Sequence, residues 1–170
     1  VNDRPSVESI ALQATEDVAL IIPLVGRDIE NALSRFEITT PSLGTLSSSE
    51  VGLSGTLEST VTYTPSLNMY GEVTFSYRVI DSLGEASLPQ DIVLSVSEVN
   101  DTPNSQESQE SVLEDINTEI ILYSSDVDLD LDQDTRSYEI VDPVSHGVLD
   151  VSNLGTGTVR YQSNLNYSET

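Results

Sequence analysis

A five-residue block, Val1-Asn2-Asp3-Arg4-Pro5, returns as Val99-Asn100-Asp101-Thr102-Pro103, and the residues after each copy return with it. Asn2 and Asn100 stand 98 positions apart. The same offset carries Glu16-Asp17 onto Glu114-Asp115, Asp28 and Glu30 onto Asp126 and Asp128, and 61–63 onto 159–161. One spacing kept over four separate blocks defines a tandem array, and each unit must then fold with that many residues. The chain of 170 residues therefore reads as one full unit, 1–98, and a second, 99–170, that stops before its last two strands. It begins and ends inside a repeat signature, which suggests a fragment of something longer.

Alternation of apolar and polar residues at period two dominates the unit, as expected of strands with one face buried. Val18, Leu20, Ile22 and Leu24 share one face, as do Val73, Phe75, Tyr77 and Val79, and Ile92, Leu94 and Val96. Pro41-Ser42-Leu43-Gly44, Tyr70-Gly71 and Asp81-Ser82-Leu83-Gly84 punctuate these runs with turn residues. Strands are predicted near 7–13, 18–24, 34–39, 43–47, 57–64, 73–80 and 90–98. Seven short strands in a unit of this length predict an immunoglobulin-like β-sandwich, all-β, in tandem. The second unit keeps the pattern: Ile116, Ile120 and Leu122 match the second strand, Tyr138-Glu139-Ile140 the third, and Val144 to Leu149 the block from Pro41 to Leu46. Lacking its last two strands, that sandwich is expected to leave open edges and an uncovered core.

The 29 Asp and Glu against 6 Lys and Arg give a net charge of −23. This balance argues against nucleic-acid backbones and anionic membranes, which call for basic patches. No apolar run approaches the roughly 20 residues of a membrane span, so no direct membrane insertion is expected. Cysteine is absent, so disulfides and thiolate metal sites are excluded and any added stiffness must come from elsewhere. Most of the carboxylates are expected to be solvated, but those that recur at fixed positions call for another account.

Val-Asn-Asp-x-Pro, Thr15-Glu16-Asp17, Asp28-x-Glu30, the Pro-x-x-Gly-x-Leu block at 41–46, Val-Thr-Tyr-Thr-Pro at 61–65 and Phe-x-Tyr-x-Val-x-Asp at 75–81 follow one another in the first unit. In this order they resemble the cadherin-like tandem-95 repeats of large extracellular proteins, surface adhesins and biofilm proteins among them. The resemblance covers 1–98 and most of 99–170. It implies calcium at the seams between repeats. Carried over residue by residue, the central seam would use Glu16, Asn100, Asp101, Asp126 and Asp128, with Asp17 and Asp130 as additions. The upper seam would use Asn2, Asp3, Asp28, Glu30 and Asp81, and Glu114 and Asp115 would serve a seam below the second unit.

The chemistry agrees with that implication. Calcium takes six to eight oxygen ligands at about 2.3–2.6 Å, more than one strand can offer. Converging carboxylates repel until a cation is bound or a proton taken up. Against this stands the plain reading of Asn-Asp-x-Pro as a turn, with Asn and Asp bonding their own backbone. The run from Asp126 to Asp134 lacks the central Gly and terminal Glu of an EF-hand loop, which excludes that site. His146 is the single histidine, read as a turn residue before Gly147; no nucleophile–base–acid arrangement is legible around it. Without Trp there is no obvious sugar-stacking platform for a glycosidase. Asn166-Tyr167-Ser168 is a glycosylation sequon for a eukaryotic source.

These readings predict a non-enzymatic structural module of a long extracellular or cell-surface protein, with calcium setting stiffness and neighbouring repeats of the same chain as partners. Two rivals remain. One is a sandwich whose loops bind a cell-surface glycan or protein. The other is a fibre or appendage subunit whose unfinished sandwich accepts a strand from a like chain.

Overall fold

A computed structural model describes residues 2–128 and 135–165. The chain divides into two compact units, residues 1–99 and 100–170. Asp130 and the sequon at Asn166 lie outside the described residues.

The first unit is built from nine strands: β1 (Ser6–Val7), β2 (Ile10–Thr15), β3 (Leu20–Arg27), β4 (Leu33–Ile38), β5 (Thr45–Leu46), β6 (Glu50–Gly52), β7 (Glu58–Thr64), β8 (Gly71–Asp81) and β9 (Gln90–Ser97). They form two sheets, in the orders β1-β3-β7-β5 and β2-β9-β8-β4-β6. All pairs are antiparallel except β2 with β9, where Ile10 stands beside Ile92 and Thr15 beside Ser97. The first predicted strand is in fact two. Residues 6–7 pair with β3, and after Glu8 and Ser9 the chain crosses to the other sheet. Tyr77 stabilises the crossing, its hydroxyl donating to the Glu8 carbonyl at 2.6 Å.

The core lies where the sheets face one another. Ile22, Leu24, Val61 and Tyr63 come from one sheet and Val73, Phe75, Tyr77, Val79, Ile92 and Leu94 from the other, all buried. Removing each such side chain from water contributes about 1.5–3 kcal/mol before entropy is counted. Tyr63 stacks on Phe75 with ring centroids 6.2 Å apart, and Phe36 meets Tyr77 at 6.1 Å. Burial raises the pKa of the Tyr63 and Tyr77 hydroxyls. Val18 departs from its expected face: it precedes β3 and is exposed, because Asp17 turns the chain with φ 59° just before it.

The second unit repeats the first sheet in register. Its strands are β10 (Asn104–Ser105), β11 (Thr118–Ile121), β12 (Ser124–Ser125), β13 (Gly147–Asp150) and β14 (Thr158–Ser163), with a 3₁₀ turn at Leu154–Thr156. Ser6 pairs with Arg27 as Asn104 pairs with Ser125, and Leu20 with Tyr63 as Thr118 with Tyr161. Leu46 pairs with Tyr63 as Leu149 with Tyr161. Asp115 turns the chain at φ 61°, as Asp17 does. Among the described residues, no strand of the second unit corresponds to β2, β4, β6, β8 or β9. Tyr138-Glu139-Ile140, expected as a strand, has no ladder. In the first unit its counterpart β4 is held by hydrogen bonds to β8 and β6. Among the described residues no helix is long and apolar enough to cross a membrane.

Candidate functional site

The recurring acids of the first unit gather at its two ends. β8 runs eleven residues, roughly 35 Å at 3.3 Å per residue. At one end of the sandwich β8 finishes in Asp81, β3 in the loop that holds Asp28 and Glu30, and the N-terminal segment brings Asn2 and Asp3. At the other end Glu16 follows β2, its amide donating to the Ser97 carbonyl at the end of β9 at 2.9 Å.

At the first end, Asp81 is buried and fully engaged. Its Oδ1 accepts the Leu83 and Glu85 amides at 2.9 and 2.8 Å, closing the turn after β8, and Gly84 takes φ 92° there. Its Oδ2 accepts Asn2 Nδ2 at 2.6 Å. The Asn2 amide beside it, followed by the backbone amides of its own turn, holds the Asp81 carboxyl below the usual carboxylate range. Asn2 also reaches Glu85 at 3.4 Å, a carboxylate that the repeat pattern did not single out. Asp28 Oδ2 caps the Ala32 amide at 2.8 Å, while its Oδ1 is buried with no hydrogen-bond partner among the described residues. The Asp3 amide donates to Glu30 Oε2 at 3.4 Å.

The second unit reproduces this linker-to-loop contact at the positions one repeat later. The Asp101 amide donates to Asp128 Oδ2, as that of Asp3 does to Glu30. The Asp128 carboxyl is buried, and its amide donates to Asp126 Oδ1 at 3.2 Å. Asn100 donates from Nδ2 to the Asp101 carbonyl at 3.0 Å, the local bond of the plain turn reading. Of the expected central set, Asp101 meets Asp128, and Asp128 meets Asp126, each through a backbone amide that donates to a carboxylate within the second unit.

Glu16 belongs to the first unit. It is buried, and its Oε1 accepts the Val99 amide at 2.6 Å. Asp17 is exposed and its Oδ1 accepts the Asn68 amide at 3.0 Å. In the second unit Glu114 is exposed, and the Asp115 amide donates to Ser163 Oγ at 3.3 Å. Among the described residues no three carboxylate or imidazole groups form a cluster that could hold a metal ion. Each linker and loop offers oxygen donors, from Asp3, Asp28 and Glu30 in the first unit and from Asp101, Asp126 and Asp128 in the second, and Asp28 Oδ1 is buried without a hydrogen-bond partner among the described residues.

One repeated element escaped the sequence reading. Tyr63 Oη donates to the Leu43 carbonyl at 3.0 Å, and Tyr161 Oη donates to the His146 carbonyl at 2.9 Å. Each ring lies over the glycine that follows, Gly44 or Gly147. The signal was present in the matched Gly-x-Leu blocks and the matched tyrosines, but their pairing is a matter of ladder register.

A family profile described as a bacterial Ig domain matches residues 2–92, more than half of the chain. The chain belongs to the bacterial Ig domain family. The Ig-domain match takes in the N-terminal linker, the Asp28–Glu30 loop and all of β8. Among solved structures this bacterial Ig chain is similar to the SrpA adhesin from Streptococcus sanguinis, with TM-score 0.45 and 16% identity over 56% of this chain and 58% of that one. An endo-fucoidan hydrolase of glycoside hydrolase family 107 aligns with TM-score 0.42 and 16% identity, over 56% of this chain and 14% of the hydrolase. The D00-D0 domain of intimin gives 0.41 and 16%, over 94% of this chain and 85% of that one. The chain thus spans 58% and 14% of the first two. No curated protein matches.

Proposed function

We propose that the chain is a non-enzymatic repeat module of a long extracellular, adhesin-type surface protein, of the cadherin-like kind, in which calcium between repeats sets the stiffness of a spacer or stalk. The observation that supports this reading is the duplicated linker-to-loop contact, Asp3 with Glu30 and Asp101 with Asp128. In both units the backbone amide of the linker aspartate donates to a carboxylate of the acidic loop after the same strand. The repetition of oxygen-rich side chains at linker and loop suits a hard cation such as calcium, which takes carboxylate and amide oxygens.

Glu16, Asn100, Asp101, Asp126 and Asp128 would hold the ion of the central junction. Asn2, Asp3, Asp28 and Glu30 would serve the upper one, where Asp81 and Glu85 hold Asn2 in place. Bound calcium would neutralise these carboxylates and fix the linker between them. Extracellular calcium modules bind at about 10⁻⁴–10⁻³ M, so such a module would be loaded outside a cell and emptied by chelation.

Isothermal titration of the 170-residue chain with calcium tests the assignment. Saturable binding in the millimolar range is expected, with the central site lost in the pair Asp126→Asn and Asp128→Asn. Absence of binding, or binding unchanged by that pair, contradicts it.

A further inference from the structure

β3 and its counterpart β11 are each paired along one side only. The Gly26 amide donates to the Leu57 carbonyl, and the Leu122 amide to that of Gly157. By the alternation of an antiparallel ladder, the even-numbered amides of β3 and β11 therefore face β7 and β14. The odd-numbered positions, 21, 23 and 25 and likewise 119, 121 and 123, turn their backbone groups to the other side. There β1 covers only Gly26 and Arg27, and β10 only Ser124 and Ser125. The Gln106 amide extends that cover by one contact, to the Tyr123 carbonyl at 3.0 Å. Among the described residues no strand lies on this side of 20–24 or of 118–122. The bare edge belongs to the unit itself, because the first unit leaves it unpaired with both of its sheets in place. Ile21, Val25, Ile121 and Tyr123 are exposed along it.

The two edges differ where it matters most. Ile121 carries an outward amide donor, whereas its counterpart in the first unit is Pro23, which has none. Proline on an edge strand opposes the addition of another strand. We propose that β11 pairs antiparallel, edge to edge, with β11 of a second copy of this chain, and that Pro23 closes the matching edge of β3. The register is set by Gln106, which occupies the place opposite Tyr123. The pairing that clears it sets Glu119 opposite Ile121 of the other copy, with Ile120 at the two-fold axis. Each Glu119–Ile121 pair then exchanges both of its amide bonds, and no acid faces its own copy. Glu119 keeps Arg160 beside it, with Nη2 at 3.1 Å. Such an edge is its own complement, as a two-fold contact requires. On β3 the same register would set Ile21 against Pro23, removing half of the bonds and pressing each ring on the facing strand. A charge of −23 on each copy opposes the contact, so added salt strengthens it. The inference stands or falls apart from calcium.

Sedimentation equilibrium of the 170-residue chain in EDTA, over a concentration series at low and at raised salt, tests it. A monomer–dimer equilibrium that tightens with salt is expected. Ile121→Pro should weaken it about tenfold or more, through the lost pair of central bonds. That variant is compatible with the fold, since the first unit already holds proline at the same place in its ladder. Pro23→Ile should add a second association through β3. In a mixture of isotope-labelled and unlabelled chains, proton contacts between Glu119 of one copy and Ile121 of the other should appear. A chain that stays monomeric at every concentration overturns the proposal. So does a dimer indifferent to Ile121→Pro, or one without those contacts, because another surface then makes it.

Discussion

An alanine at position 44 would set its Cβ 2.5 Å from the Thr64 carbonyl oxygen and 2.7 Å from the Tyr63 ring, at a backbone φ of +80°. Both the crowding and the left-handed conformation penalise any side chain, so Gly44→Ala should destabilise the first unit by about 3 kcal/mol. Gly52→Ala is the control, since nothing lies within 4 Å of its Cβ. Urea unfolding of the two variants, read as midpoints at constant slope, separates these cases. The crowding recurs at Gly147, where an added Cβ would strike the Gln162 carbonyl and the Tyr161 ring. At Asp81 the forecast concerns protons. Hydrogen bonds from Asn2 and from its own turn hold the folded pKa below the ordinary value. The stability it contributes is therefore present above the unfolded pKa of about 3.9 and is lost as pH falls through the lower folded value. Carboxyl NMR should give Asp81 a midpoint below that of exposed aspartates, and Asn2→Ala should raise it. A midpoint unchanged by Asn2→Ala contradicts the Asn2 contact as its leading cause.

Among the elements, β8 contributes most to the core, placing Val73, Phe75, Tyr77 and Val79 against the opposite sheet. Phe75→Ala should cost about 3–5 kcal/mol in the first unit, through lost burial and the cavity left under Tyr63. Calorimetric melting checks this, and a loss below 1 kcal/mol would mean that the two sheets are not packed as described. β3, β4, β7, β8 and β9 were legible because their alternation is a local consequence of one buried face. β6 was not, since Val51 is its only apolar residue and it exists as a ladder on β4. The division of the first strand also escaped, because it depends on the distant Tyr77 hydroxyl and on pairing with β9. Of the acidic constellations, the repeat offset gave the matching positions of linker and loop acids in both units, and the resemblance to cadherin-like repeats gave their grouping. Neither gave Glu85, which has no repeated signature, or the engagement of Asp81 by its own turn. In the second unit the offset carried strand register faithfully where partner strands exist, and failed at 138–140 where they do not.

For the molecule as a whole, the charge of −23 on 170 residues sets the terms. Self-repulsion on this scale favours solubility and opposes the close approach of acidic loops, unless cations screen or bridge them. General screening by monovalent salt and specific bridging by calcium differ in what they demand of individual residues, so variants distinguish them. The most direct test is small-angle scattering of the 170-residue chain, in millimolar calcium and in EDTA at matched ionic strength. The account predicts a longer, stiffer particle with calcium, and loss of that response in the chain carrying Asp126→Ala and Asp128→Ala. Identical profiles with and without calcium, or a calcium response that persists in the double variant, would contradict it.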